Sequence, residues 1–143
     1  MRVLIWHVEN FVCTITERGR SPIVEEYEEP VTAVEEALLL LVSVEKADET
    51  DPAGVARKAA DDIAAHARKL KVETLVVHPF AHLFGELSRP RTAVRVLDAT
   101  AEGLRSHGLT AIRTPFGWFN QLEIKAKGHP LSRLARLYAP DQS

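Results

Sequence analysis

The run LLLLVSV, from Leu38 to Val44, limits the possible folds more than any other stretch of the chain. It carries no charge and no polar side chain beyond one serine hydroxyl, so it cannot alternate between core and solvent. It fits a strand buried on both faces, or a core helix. The valines Val42 and Val44 and the exit Ser43-Val44-Glu45-Lys46 favour a strand at its C-terminal half. Such a strand must be covered above and below, which sets what the remaining sequence has to supply.

Much of the chain reads as that cover. Arg2–Val8 and Phe11–Thr16 suit two strands joined by a tight turn at Glu9-Asn10. Glu17–Pro30 reads as an exposed loop, with Glu25, Glu26, Glu28 and Glu29 on a solvated edge. Asp51-Pro52 starts a helix, an Asp N-cap with proline at the first helical position. Val55, Ala59, Ile63, Ala67 and Leu70 give that helix one apolar face. Thr74–His78 is a second core strand, and Ser88–His107 holds a second helix that stops at Gly108. Leu109–Arg113 and Leu122–Ala126 read as strands, and Pro130–Leu137 as a closing helix. Strands that precede and separate helices predict an α/β domain of two or three layers, a sheet with packed helices. The domain is expected over residues 1–138, with 139–143 as the start of a linker.

Composition removes several classes. A chain of 143 residues, 45% hydrophobic and 27% charged, can bury one real core. No apolar run reaches membrane-spanning length, and the N-terminus lacks the small-residue cleavage site of a signal peptide. The single Cys13 excludes an internal disulfide and a cysteine-rich zinc site. A cytoplasmic protein without a membrane partner is expected. The net charge of −2 is unevenly placed. Residues 1–75 hold fifteen acids and nine bases, whereas residues 76–143 hold five acids and nine bases. An acidic front and a basic back can orient a polyanion. No phosphate-binding or dinucleotide-binding glycine loop and no nucleophile elbow appears, so no cofactor is expected.

The stretch VVHPFAHL raises the question of a metal, because His78 and His82 stand four apart. A shared ion at that spacing needs a helix, and Pro79 disfavours helical backbone at His78. No metal is expected. Ligands in open α/β sheets bind beyond the carboxyl ends of strands, where Pro79-Phe80-Ala81-His82 falls; His82 either faces such a ligand or caps the turn. The stretch TPFGWFN places Phe116, Trp118 and Phe119 around Gly117, which suits a pocket wall, a base-stacking platform or ordinary core. Lys125 and Lys127, followed by Arg133 and Arg136, extend a basic face that could meet phosphates.

Four blocks in order, SVEK at Ser43–Lys46, PFAH at Pro79–His82, PFG at Pro115–Gly117 and KGHP at Lys127–Pro130, resemble the N-terminal editing domain of archaeal threonyl-tRNA synthetase. The likeness runs from Met1 to about Tyr138. It implies a D-aminoacyl-tRNA deacylase-like fold, a homodimer, and hydrolysis of L-serine from mischarged seryl-tRNA(Thr). It also implies tRNA(Thr) as partner, through its 3′ end, and a synthetase catalytic region on the same or a separate chain. By position, Val44, Pro79, Phe80, Ala81, His82, Phe116, Phe119, Asn120 and Arg133 are the expected substrate-binding residues, with Lys125, Lys127 and Arg136 as tRNA contacts.

The resemblance breaks at two positions. Other members place a lysine after the aromatic pair and an acid after the GHP turn, where this chain has Asn120 and Arg133. Asn120 is no general base, and Arg133 accepts no proton at neutral pH. No side chain is therefore assigned as the catalyst; His82 and Asn120 are the candidates. The resemblance implies instead that the 2′-hydroxyl of the terminal adenosine assists the attacking water. The alternative expectation is a non-catalytic module that binds the acceptor end or holds a dimer.

Overall fold

In the computed structural model, which describes residues 1–141, the LLLLVSV run is a strand, Ala37–Ser43, buried at every position. It is the third of seven among the described residues. In chain order these are β1 (Arg2–Arg18), β2 (Val31–Val34), β3 (Ala37–Ser43), β4 (Thr74–Pro79), β5 (Thr110–Arg113), β6 (Trp118–Ala126) and β7 (Arg133–Leu137). Two helices, α1 (Pro52–Leu70) and α2 (Pro90–Ser106), and a short 3-10 turn at Lys46–Thr50 complete the α/β domain expected from the sequence.

The sheet runs β2-β1-β3-β4-β5, with β6 and β7 also paired to β1. β3 and β4 are parallel, as are β4 and β5, while every pairing of β1 is antiparallel. The continuous apolar character of β3 follows from its place. Leu38, Leu40 and Val42 pack into the core under α1 and α2, and Ala37, Leu39 and Leu41 into a second core on the opposite face. The two helices meet closely because Gly103 has no side chain: a Cβ there would lie 2.6 Å from the Cβ of Ala60.

Three expectations need correction. The first two predicted strands are one 17-residue strand. Glu9-Asn10 is a bulge in the pairing with β6, not a turn. An extra residue shifts the alternation by one, so Leu4, Trp6 and Val8 before it, and Phe11 and Cys13 after it, all serve the same second core. The predicted closing helix is β7. Leu131, Leu134 and Leu137 share helical spacing, but the segment pairs with Arg2–Trp6 of β1, whose backbone would otherwise present an open sheet edge. Glu25 is no solvated edge residue: its carboxylate accepts from Arg113 and from the Phe116 amide. β2 and the 3-10 turn carry no periodic signal and were not expected. Of the expected linker start, Lys58 holds the Ala139 carbonyl at 2.8 Å and Asp141 at 2.6 Å; residues 142–143 lie outside the described residues.

Candidate active site

β3 and β4 end side by side, and beyond their carboxyl ends lies a cavity of about 620 Å³. One wall is the chain that leaves β4. Phe80 donates its amide to the Val42 carbonyl at 2.8 Å, and the Ser43 hydroxyl donates to the Phe80 carbonyl. Further on, the Lys46 amide donates to Glu86 at 2.8 Å and the Ser88 amide to Val44 at 3.1 Å. The segment between is therefore a loop pinned at both ends to the exit of β3. Pro79 and Phe80 stand half-buried, His82 is exposed, and the rings of Phe80 and His82 meet edge to face at 5.1 Å. The amides of Ala81 and His82 donate to no backbone carbonyl among the described residues.

The opposite wall is the entry to β6. Gly117 adopts φ +93°, and a Cβ there would lie 2.7 Å from the Ile23 carbonyl. Only glycine suits such a position, and it lets the β1–β2 connection cross the PFGWF segment. Arg113 donates to both carboxylate oxygens of Glu25, at 2.8 and 3.0 Å, and the Phe116 amide donates to the same carboxylate at 2.7 Å. The Trp118 indole donates to the Glu25 carbonyl at 2.7 Å. Glu25 is the hub that fixes Phe116 and Trp118, leaving Phe119 60% exposed at the rim.

The cavity thus brings together Val44, Pro79, Phe80, Ala81, His82, Phe116, Phe119 and Asn120. Asn120 donates to the Trp118 carbonyl at 3.4 Å. Arg133 is not among the lining residues; it sits on β7 and donates to the Lys127 carbonyl at 3.4 Å. Lys125, Lys127 and Arg136 are also away from it, paired with Glu9, Glu36 and Asp62 at 3.2, 2.6 and 3.7 Å. A cation the sequence did not single out, Arg20, lines the cavity instead.

His78 and His82 part company as Pro79 dictates. His82 faces out, while His78 is buried in the sheet and lines the cavity floor. Burial holds the His78 imidazole at a pKa of about 4, so it is neutral at neutral pH. Elsewhere, His7 and His129 approach to 2.8 Å across β1 and the β6–β7 connection, and His7 also meets Glu36 at 3.0 Å. Among the described residues no group of three or more His, Cys, Asp or Glu side chains is placed to hold a metal. Among the described residues no helix is long and apolar enough to cross a membrane.

Residues 1–137 match the family described as the archaea-specific editing domain of threonyl-tRNA synthetase. The chain is 39% identical to the threonine–tRNA ligase of Methanocaldococcus jannaschii, covering 95% of this chain and 22% of that protein. It is 36% identical to the Pyrococcus furiosus ligase, over 100% of this chain and 23% of that one, and 35% identical to the ligase of Methanobrevibacter smithii, over 99% and 23%. The chain therefore spans under a quarter of the length of these relatives. Among solved structures, c-Myc DNA unwinding element binding protein shares the fold at a TM-score of 0.61 with 13% identity, covering 99% of this chain and all of that one. The common architecture is the D-aminoacyl-tRNA deacylase-like one.

Proposed function

This chain belongs to the archaea-specific editing domain family of threonyl-tRNA synthetase, and from that premise we propose that it hydrolyses L-serine from seryl-tRNA(Thr) and spares threonyl-tRNA(Thr). The observation that carries this reading is the cavity beyond β3 and β4. Its volume of about 620 Å³ suits a nucleoside with a small ester, and its walls are mostly apolar and held by backbone hydrogen bonds. Serine differs from threonine by one methyl, which a synthesis site rejects by only about 1–3 kcal/mol. A second site with a rigid wall does the converse, admitting serine and excluding the extra methyl. Pro79 and Phe80, pinned to β3, are that wall.

Ester hydrolysis needs a placed water, a proton acceptor and donors for the developing oxyanion. The amides of Ala81 and His82 are the donors in this reading, and His82 and Asn120 orient the substrate. The 2′-hydroxyl of the terminal ribose positions the water, because among the described residues no carboxylate or lysine lines the cavity. The partner is the 3′ end of tRNA(Thr), the domain pairs with a second copy, and a synthetase catalytic region lies on the same or another chain, in the cytoplasm.

The test is parallel incubation with seryl-tRNA(Thr) and threonyl-tRNA(Thr), following release of labelled amino acid. Loss of serine with threonine retained is expected. Tight binding without loss from either would leave a module that holds the acceptor end and does no chemistry.

A further inference from the structure

We propose that Nε2 of His78 is a hydroxyl acceptor in the cavity floor, taking a hydrogen bond from the serine side chain or from the ribose 2′-hydroxyl of the bound ester. The inference rests on the editing reading and names a contact within it.

Two neighbours fix the ring. β4 turns His78 to the same face as Val76, and Phe11 meets the imidazole edge to face at 5.8 Å. Nδ1 lies 2.8 Å from the Thr114 hydroxyl, and Thr114 is itself buried. That hydroxyl lies 3.5 Å from the Val77 carbonyl, the acceptor available to its proton. With the proton so directed, Thr114 accepts from Nδ1–H, and the neutral ring carries its lone pair on Nε2.

Nε2 makes no hydrogen bond among the described residues, and unlike the enclosed, unpartnered Nε2 of His66 it is not sealed off from open space. His78 is 2% exposed and lines the cavity, so this lone pair is left to a ligand. The chemistry of the ligand group follows. A neutral acceptor in apolar surroundings repels the lone pairs of a phosphate or carboxylate. It leaves an ammonium poorly compensated for its lost water. A hydroxyl is neutral and donates, so it fits. Burial supplies the last requirement by depressing the ring's basicity, which keeps the lone pair free of a proton at neutral pH.

The test uses three non-hydrolysable adenosine amides, seryl, alanyl and seryl 2′-deoxy, titrated into the wild-type protein and into His78→Phe. If the serine hydroxyl is the donor, wild type binds the alanyl amide about tenfold more weakly than the seryl amide. That ratio falls to about one in His78→Phe, and the 2′-deoxy penalty stays. If the ribose hydroxyl is the donor, the 2′-deoxy penalty collapses and the alanyl ratio stays. Both ratios are insensitive to partial unfolding of the variant. Both ratios unchanged, or an equal loss on all three amides, would overturn the proposal. Should His78→Phe fail to fold, the Nε2 nitrogen resonance of wild type decides. An upfield move with the seryl amide that is absent with one hydroxyl-deficient amide supports the contact, and no move overturns it. Wild type that hydrolyses seryl-tRNA(Thr) with unchanged ratios loses only this inference. Wild type that neither hydrolyses nor binds loses the editing reading as well.

Discussion

Asn120 pairs with Ile15 and Arg133 with Trp6, nine positions apart along β1 and roughly 30 Å of extended strand. Asn120 and Arg133, the two positions at which the resemblance is expected to break, therefore do not meet within one domain. Asn120 lines the cavity and Arg133 does not.

Asn120→Ala and Arg133→Ala are each expected to lower kcat/KM on seryl-tRNA(Thr) by less than about tenfold, whereas a 2′-deoxy terminal adenosine abolishes hydrolysis. A large loss from Arg133→Ala alone would mean that a second copy brings this residue to the cavity.

The Glu25–Arg113 pair holds the PFGWF wall, and the two side chains are 27% and 11% exposed. Arg113→Ala leaves the carboxylate half-buried beside the Phe116 amide, at a cost of about 2 kcal/mol once partial exposure is discounted. The urea midpoint is expected to fall, and KM for seryl-tRNA(Thr) to rise more than kcat falls. A lower midpoint with unchanged KM would sink the idea that this pair shapes the cavity.

Much of this arrangement was legible in the sequence. LLLLVSV narrows to a two-faced strand or a core helix, with its valines favouring strand at the C-terminal half. Asp51-Pro52 marks a capped helix, and HPFAH a strand end at which a ligand could sit. What periodicity could not show is long-range pairing. The bulge at Glu9 looks like a turn because two polar residues interrupt the alternation, and only the partner strand reveals that pairing continues. β7 has leucines at helical spacing, and the open edge of β1 overrides them. Glu25 lies in an acidic loop and Arg113 88 positions later, so their joint role has no local signature. Nothing in the sequence neighbourhood of His78 predicts Thr114 beside it.

His78 makes stability depend on pH in a defined window. Its folded pKa of about 4 lies below the ordinary 6.5, so the unfolded chain binds the extra proton first as pH falls. The contribution is complete above about 6.5 and is lost progressively toward about 4, amounting to about 3 kcal/mol in all. Urea midpoints at pH 7 and pH 4.5 should separate by more in wild type than in His78→Gln. The kcat profile should stay flat from pH 6 to 8. Equal separation in the two proteins would show that other groups carry the acid sensitivity.

Phe84 stands at the tip of the loop between the two cavity-lining segments that follow β4, wholly exposed and at φ +66°. A side chain in this left-handed region costs about 1–2 kcal/mol, which glycine avoids. Glycine gives back about 0.5–1 kcal/mol through the greater freedom of the unfolded chain. Phe84→Gly is therefore expected to stabilise the fold by about 0.5–1 kcal/mol, read as a higher urea midpoint. Phe84 does not line the cavity, so hydrolysis of seryl-tRNA(Thr) should be unchanged. A lower midpoint would show that the ring is covered in solution and that its burial outweighs the backbone strain.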